Sequence, residues 1–214
     1  MKRWIAMLLA WSMALSLAAC TKPQEKGKET VSEADAAQET TTEAEEPAAY
    51  YPVTVTDQAG REVVIEEEPQ KLVSGYYIST SLMIALELDD KLVGIEAKAD
   101  KRPIYSLAAP ELLELPNVGS AKEFDLEGCA ALQPDLVVLP LKLKDAAQTL
   151  EELGIHVLLV NPEDQQQLTE MIELIAKATN TQKRAQQLLD FTEAQQKELE
   201  TMLAGAPTPT AYLA

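Results

Sequence analysis

Nearly half the bases of the ordered part of this chain fall in three short stretches. Residues 96–102, 119–123 and 140–145 carry Lys98, Lys101, Arg102, Lys122, Lys142 and Lys144 against Glu96, Asp100, Glu123 and Asp145, a net of +2. The segment from Pro52 onward has 13 bases and 27 acids, a net of −14. A basic rim on an acidic body focuses field toward an anion. Solvated loop lysines leave the same pattern, so charge alone does not separate the two readings. Tyr76-Tyr77 adds two aromatic faces that can stack on a planar ligand. The competing expectation for each Tyr is burial in a core, and Tyr105 is a weaker candidate on the same grounds.

Other chemistries lack their parts. His156 is the single His and has no Cys or His partner at ligand spacing, so no protein-built metal site is expected. The eight glycines form no GxGxxG, GxxxxGK[ST] or GxSxG, and no nucleophile–base pair stands out. An enzyme is therefore not expected, nor a cofactor. With 35 acids against 18 bases the formal charge is −17, which disfavours nucleic acid as a partner. A hydrophobic share of 46% is enough for a packed core.

The N-terminus reads as an address. Met1-Lys2-Arg3 is basic, Trp4 to Leu17 is an apolar run, and Leu17-Ala18-Ala19-Cys20 ends it, as in a secretory signal. Leu-Ala-Ala-Cys resembles the bacterial lipobox, which implies a signal peptide over 1–19 and lipidation at Cys20. Two or more acyl chains would anchor the mature protein in a lipid bilayer. Residues 20–51 carry few branched apolar side chains and an acidic excess, the composition of a disordered tether. Cys129 then remains as the other thiol, best read as a small buried hydrophobe in a helix.

Behind these residues lies an alternation of short apolar strands and helices. Val53–Ile65 reads as a β-hairpin turning at Asp57-Gln-Ala-Gly60, and Lys71-Leu-Val-Ser-Gly75 as a buried strand. Ser79-Thr80 is placed to cap a helix running through Leu88. Leu92–Ile95, Asn117–Gly119, Asp135–Leu139 and His156–Val160 read as further strands. Pro103–Leu115 reads as a loop with a short helix after Pro110. Asp125–Leu132 and the stretch before Gly154 read as helices. Leu168, Met171, Ile172 and Ile175 mark another at helical spacing, and Gln182–Leu203 a long one. The pattern predicts an α/β fold with a parallel sheet flanked by helices. Ligands of such sheets bind beyond the carboxyl ends of the strands, where the three basic stretches fall.

Taken in order, several pieces resemble the substrate-binding proteins of ABC importers for iron–siderophore, heme and cobalamin. They are Asp57-x-x-Gly60-Arg61-x-Val63-x-Ile65 with Pro69, Lys71-Leu-Val, and Ala85-Leu86-Glu87-Leu88-Asp89-Asp90-Lys91-Leu92-Val93-Gly94. Val118-Gly119, Asp125-Leu126-Glu127, Leu132-x-Pro134-Asp135-Leu136-Val137 and Leu153-Gly154-Ile155-x-Val157 follow. Glu87 and Asp89 depart from that family, which often has Gly there.

The resemblance implies a two-lobe periplasmic-binding-protein fold. Residues 52–180 would form the N-terminal lobe, 181–205 the long inter-lobe helix, and 206–214 the start of a C-terminal lobe that the chain does not contain. It further implies a lipid-anchored, extracytoplasmic bacterial protein that delivers a ferric chelate to ABC permease subunits, with Glu127 as the docking carboxylate. A first-turn Glu favoured by the helix dipole explains Glu127 without any partner. Tyr76, Tyr77, Lys98, Arg102, Lys122 and Lys142 are the expected ligand-binding set. Their charge suits an anionic siderophore, then heme, and cobalamin least. A non-transport adhesive or sensory lipoprotein is the remaining alternative.

Overall fold

A central run of four parallel strands is the frame on which everything else hangs. The computed structural model describes residues 49–207 and 210. The expectations for the signal segment, Cys20, the tether up to residue 48 and residues 211–214 lie outside them. The strands are β1 (Val53–Thr56), β2 (Glu62–Ile65), β3 (Leu72–Ser74), β4 (Leu92–Gly94), β5 (Leu136–Pro140) and β6 (His156–Val160). The α-helices are α1 (Tyr77–Ala85), α2 (Pro103–Ala108), α3 (Leu126–Ala131), α4 (Lys144–Glu152), α5 (Gln165–Thr179) and α6 (Gln182–Leu203). β1 and β2 pair antiparallel, and the main sheet has the order β4-β3-β5-β6.

β5 and β6 read as continuous apolar runs because helices cover both faces of the sheet. Leu72, Leu136, Val138 and Leu158 face one layer, which includes Leu82 and Met83 of α1 and Met171 and Ile175 of α5. Val73, Val137, Leu139, Val157 and Leu159 face the other, with Cys129 of α3 and Ala147 and Leu150 of α4. Adjacent residues of β5 thus enter opposite layers, as the strand period of two requires. Chain order reverses between β3 and β5. From β3 the chain crosses to β4 on one side, then returns to lay β5 on the other.

The hairpin caps the outer edge of β6, and a buried carboxylate fixes it there. Asp57 Oδ1 accepts from the backbone N–H groups of Ala59 and Arg61, and Oδ2 accepts from Arg61 Nε and Nη2. Oδ2 also accepts from the N–H of Leu159 in β6, at 3.0 Å. The turn's Gln58 N–H donates to the Leu159 carbonyl, and Gln58 Oε1 accepts from the Asn161 N–H. These contacts occupy edge groups of β6 that would otherwise be free to pair with another strand.

Two helix starts follow the side-chain rules: Asp125 caps α3 through the Gly128 N–H, and Asp164 caps α5 through that of Gln167. The expected Ser79-Thr80 cap is corrected. α1 begins at Tyr77, ahead of both, with Tyr76 as the capping residue and no side-chain cap bond, and it ends at Ala85. Ser79 and Thr80 are buried in its first turn, and their hydroxyls turn back to the Tyr76 carbonyl. The expected strand at Asn117–Gly119 is reduced to two isolated bridges, Ile95 with Asn117 and Gly119 with Phe124. Pro103–Leu115, expected to be mostly loop, holds α2 and a 3-10 turn over Pro110–Glu114.

α6 leaves the body part-way along its length. Ala185 is buried and Leu188 and Leu189 pack against the core, whereas Phe191, Leu199, Met202 and Leu203 are exposed. The apolar surface of this helix therefore lies beyond Leu189.

Candidate functional site

The reversal of chain order decides where a ligand-binding crevice can form. Loops leaving β3 and β5 travel to opposite faces of the sheet, and the carboxyl edge between them is where open α/β sheets bind ligands. The loop after β3 is Gly75-Tyr76, running into Tyr77 at the start of α1. The loop after β5 is the 3-10 turn Leu141–Leu143, which carries Lys142. Gly75 is tightly enclosed here: a Cβ on it would lie 2.5 Å from Leu139 Cδ2 and 3.4 Å from the Phe124 ring.

The remaining basic residues arrive from the β4 side. After β4 the backbone turns at Lys98, whose positive φ is the left-handed region rarely used by residues other than glycine. A 3-10 turn over Ala99–Lys101 then delivers Arg102. The next loop lies alongside, since the Ala97 N–H donates to the Gly119 carbonyl at 2.7 Å. Ser120 and Glu123 exchange backbone hydrogen bonds, which puts Lys122 at the tip of a tight turn. Glycine is required at position 119: its φ is positive, and a Cβ would collide with the Glu123 carbonyl oxygen.

The six expected ligand residues thus share one edge of the sheet, but they are not alike. Lys98, Lys122 and Lys142 are exposed and join no ion pair among the described residues. Lys101 is taken up by its neighbour Asp100 at 2.8 Å. Tyr77 is 41% exposed, while Tyr76 is partly buried and packs on the core. Their rings meet edge to face at 5.1 Å. Burial, with Tyr77 and Glu163 nearby, raises the pKa of the Tyr76 hydroxyl, which stays protonated.

Arg102 differs from the picture of a free loop base. Its guanidinium carbon lies 3.9 Å from the centre of the Tyr77 ring. Its Nε is 3.3 Å from Oε1 of Glu96, an ion pair without hydrogen-bond geometry. Tyr105, the weaker ligand candidate, is corrected to a core residue. It is fully buried, and its hydroxyl donates to Glu96 Oε1 at 2.8 Å. Burial chiefly, and the Glu96 charge next, push its pKa upward.

The residue that sequence reasoning missed is Glu96. It stands in the first basic stretch as an apparent surface acid, yet it is 5% exposed. Thr80 Oγ1 donates to its Oε2 at 2.6 Å and lies 2.7 Å from Ser74 Oγ, which in turn is 2.8 Å from Ser79 Oγ. A signal was available: three hydroxyl residues crowd the end of β3 and the first turn of α1, where apolar residues would otherwise complete a core. Buried hydroxyls need partners, and a carboxylate is a strong one.

His156 opens β6 at the opposite end of the sheet, in register with Leu136 at the start of β5. No cluster of His, Cys, Asp and Glu among the described residues is arranged to hold a metal ion, and no helix there is long and apolar enough to cross a membrane. Glu127 stands exposed in the first turn of α3.

The chain and its fold have counterparts among known proteins. Residues 72–214 match the family model described as periplasmic binding protein. The chain belongs to the periplasmic binding protein family. It is 31% identical over 204 residues to the uncharacterized ABC transporter substrate-binding lipoprotein YvrC of Bacillus subtilis, covering 92% of this chain and 57% of that protein. The chain thus spans little more than half the length of that relative. The fold resembles Haemophilus influenzae MolA bound to molybdate, with a TM-score of 0.67 and 20% identity over 73% of this chain and 55% of that one. It also resembles Staphylococcus aureus SirA complexed with staphyloferrin B, with a TM-score of 0.58 and 21% identity over 71% and 51%. The family to which this chain belongs is one of transport binding proteins rather than an enzyme class.

Proposed function

We propose that this chain carries the N-terminal, ligand-facing lobe of a lipid-anchored ABC-importer binding protein for an anionic ferric chelate. The observation that carries the reading is the single sheet edge shared by Tyr77, Lys98, Arg102, Lys122 and Lys142, at the place where an open α/β sheet binds ligands. Three exposed ammonium groups and a guanidinium complement an anion, while the acidic body disfavours approach elsewhere. SirA, a fold relative, holds a siderophore, and MolA holds an oxyanion. Iron would reach the site with its coordination sphere supplied by the chelator.

The other parts of the reading follow the family. α6 serves as the inter-lobe helix, consistent with its exposed Phe191, Leu199, Met202 and Leu203. Glu127 docks on the permease, and Cys20 bears the lipid, in line with the lipoprotein name of the Bacillus relative. The protein then works on the extracytoplasmic face of the membrane.

One titration series tests the function. The full chain is titrated with ferric citrate, a ferric tris-catecholate, a neutral ferric tris-hydroxamate, heme and cobalamin, with tyrosine emission or calorimetry as the readout. Saturable binding of the anionic ferric chelates, weakened by salt, is the expected result. Binding of heme alone reassigns the cargo, and no binding to any of the five refutes transport of this class.

A further inference from the structure

We infer that Glu96 is a positioning residue that holds Arg102 over the Tyr77 ring, so that the guanidinium is a fixed fork for a carboxylate-bearing ligand. The inference rests on the binding function proposed above and names the ligand class within it.

Glu96 cannot stay buried alone. A carboxylate 5% exposed must be compensated. Thr80 and Tyr105 supply two O–H donors, at 2.6 and 2.8 Å, and Arg102 supplies the cation at 3.3 Å. Thr80 is itself tied to Ser74 at the end of β3, and Tyr105 is anchored in α2, its hydroxyl 3.2 Å from the Tyr77 carbonyl. The carboxylate is therefore held from two elements at once. Moving Arg102 away would leave its charge buried with neutral donors only.

Tyr77 fixes the second degree of freedom. A guanidinium carbon 3.9 Å from the centre of an aromatic ring cannot swing away without losing the contact. With Nε paired to Glu96 at 3.3 Å and the guanidinium carbon over Tyr77, the two Nη groups remain, and neither makes a hydrogen bond among the described residues. Parallel Nη donors match the two oxygens of a carboxylate, a geometry that an ammonium group does not offer. The exposed Lys98, Lys122 and Lys142 act as point charges and discriminate little between anions. Arg102 supplies the preference for a planar two-oxygen anion.

The test uses the full chain with Arg102→Lys, Tyr77→Leu and Glu96→Gln, and two probes, ferric citrate and a neutral ferric tris-hydroxamate. The Arg102 Nε–H resonance reports the clamp without any ligand. It is expected to be resolved and shifted by the Tyr77 ring in the native chain, and averaged in Glu96→Gln and Tyr77→Leu. Ferric citrate affinity is expected to fall about tenfold or more in Arg102→Lys and severalfold in Glu96→Gln. Hydroxamate affinity should change less than twofold. Arg102→Lys and Tyr77→Leu alter the partly exposed rim, so they keep the test open if Glu96→Gln fails to fold. An averaged native Arg102 signal, unchanged citrate affinity in Arg102→Lys, or equal losses for both probes would overturn the inference. If neither probe perturbs resonances of Lys98, Lys122 or Lys142 in the native chain, the binding function fails. The ligand-free Arg102 signal then still decides whether Glu96 holds the guanidinium.

Discussion

Replacing Asp57 by Asn should destabilise the folded body by ~3–5 kcal/mol, the range for removing one partner of a buried ion pair. The side chain of Asp57 is fully buried, and its two oxygens accept five hydrogen bonds, from Ala59 N, Arg61 N, Arg61 Nε, Arg61 Nη2 and Leu159 N. An Asn amide keeps one acceptor oxygen, which serves the two turn N–H groups. Its NH₂ would then face three donors, two from Arg61 and one from Leu159. Arg61 keeps Glu151 at 2.8 Å and the Val157 carbonyl at 3.0 Å, which holds the loss to the lower part of that range. At about 2–4 °C per kcal/mol for a body of this size, Tm should fall by about 10 °C. Urea denaturation of Asp57→Asn, Arg61→Met and the double variant measures the coupling. We expect the double variant to be at least ~1 kcal/mol more stable than additivity allows, because it removes the stranded guanidinium. A loss below ~1 kcal/mol for Asp57→Asn, or strict additivity, would show that the hairpin is held by packing alone.

Gly119→Ala should displace the 120–123 turn, because φ is positive and the new methyl group meets the Glu123 carbonyl; amide shifts confined to 117–125, with loss of the Lys122 contribution to chelate binding, are the expected result. In a Cys20→Ser chain the remaining thiol, Cys129, should react with a thiol reagent only after denaturant is added, since burial chiefly, and the Asp125 charge next, push its pKa up to about 12 from an ordinary 9.0. The folded state holds that proton where the unfolded chain has released it. The stabilising contribution is therefore complete below the unfolded value of 9.0 and is lost as pH rises toward about 12, and Cys129→Ala should flatten that part of the stability profile. Glu127→Arg, on an exposed first turn, should leave Tm and chelate affinity unchanged while uptake through the permease falls, and normal uptake would remove Glu127 from that interface.

The strands were legible in the sequence for a simple reason: an apolar run such as Leu136-Val-Val-Leu139 has no polar face to hide, so only a strand buried on both sides accommodates it at that length. Gly154, in the left-handed region, follows the end of α4 as its type predicts. A hydroxyl near a helix start usually caps it, which is why Ser79 and Thr80 read as caps. Here the hydroxyls face inward and serve Ser74 and Glu96, and a sequence does not record which way a first-turn side chain points. The same limit applies to the charged loops. Their positions at the strand ends follow from the alternation of elements, which brings the six candidate residues to one edge. Which of them is paired does not follow. Lys101 with Asp100 is a neighbour contact that could have been foreseen, whereas Arg102 with Glu96 depends on α2 carrying Tyr105 to the same carboxylate.

On the proposed function, that distinction changes what the edge can do as a binding surface. An exposed lysine gives up side-chain freedom when it meets a ligand, so part of its attraction is offset by ordering. Arg102 has already lost that freedom in the free protein, through the Glu96 pair and the Tyr77 stack. On that proposal the lysines contribute mainly to capture, through a field that salt screens over about 10 Å. The guanidinium contributes to orientation, through donors whose directions are set before the ligand arrives. The buried acid that seemed to weaken the positive rim is thus the part that gives it geometry: without Glu96 the loop after β4 would hold one more mobile cation. With it, the loop presents a guanidinium held over Tyr77 at the start of α1 and beside Glu96 just past the end of β4.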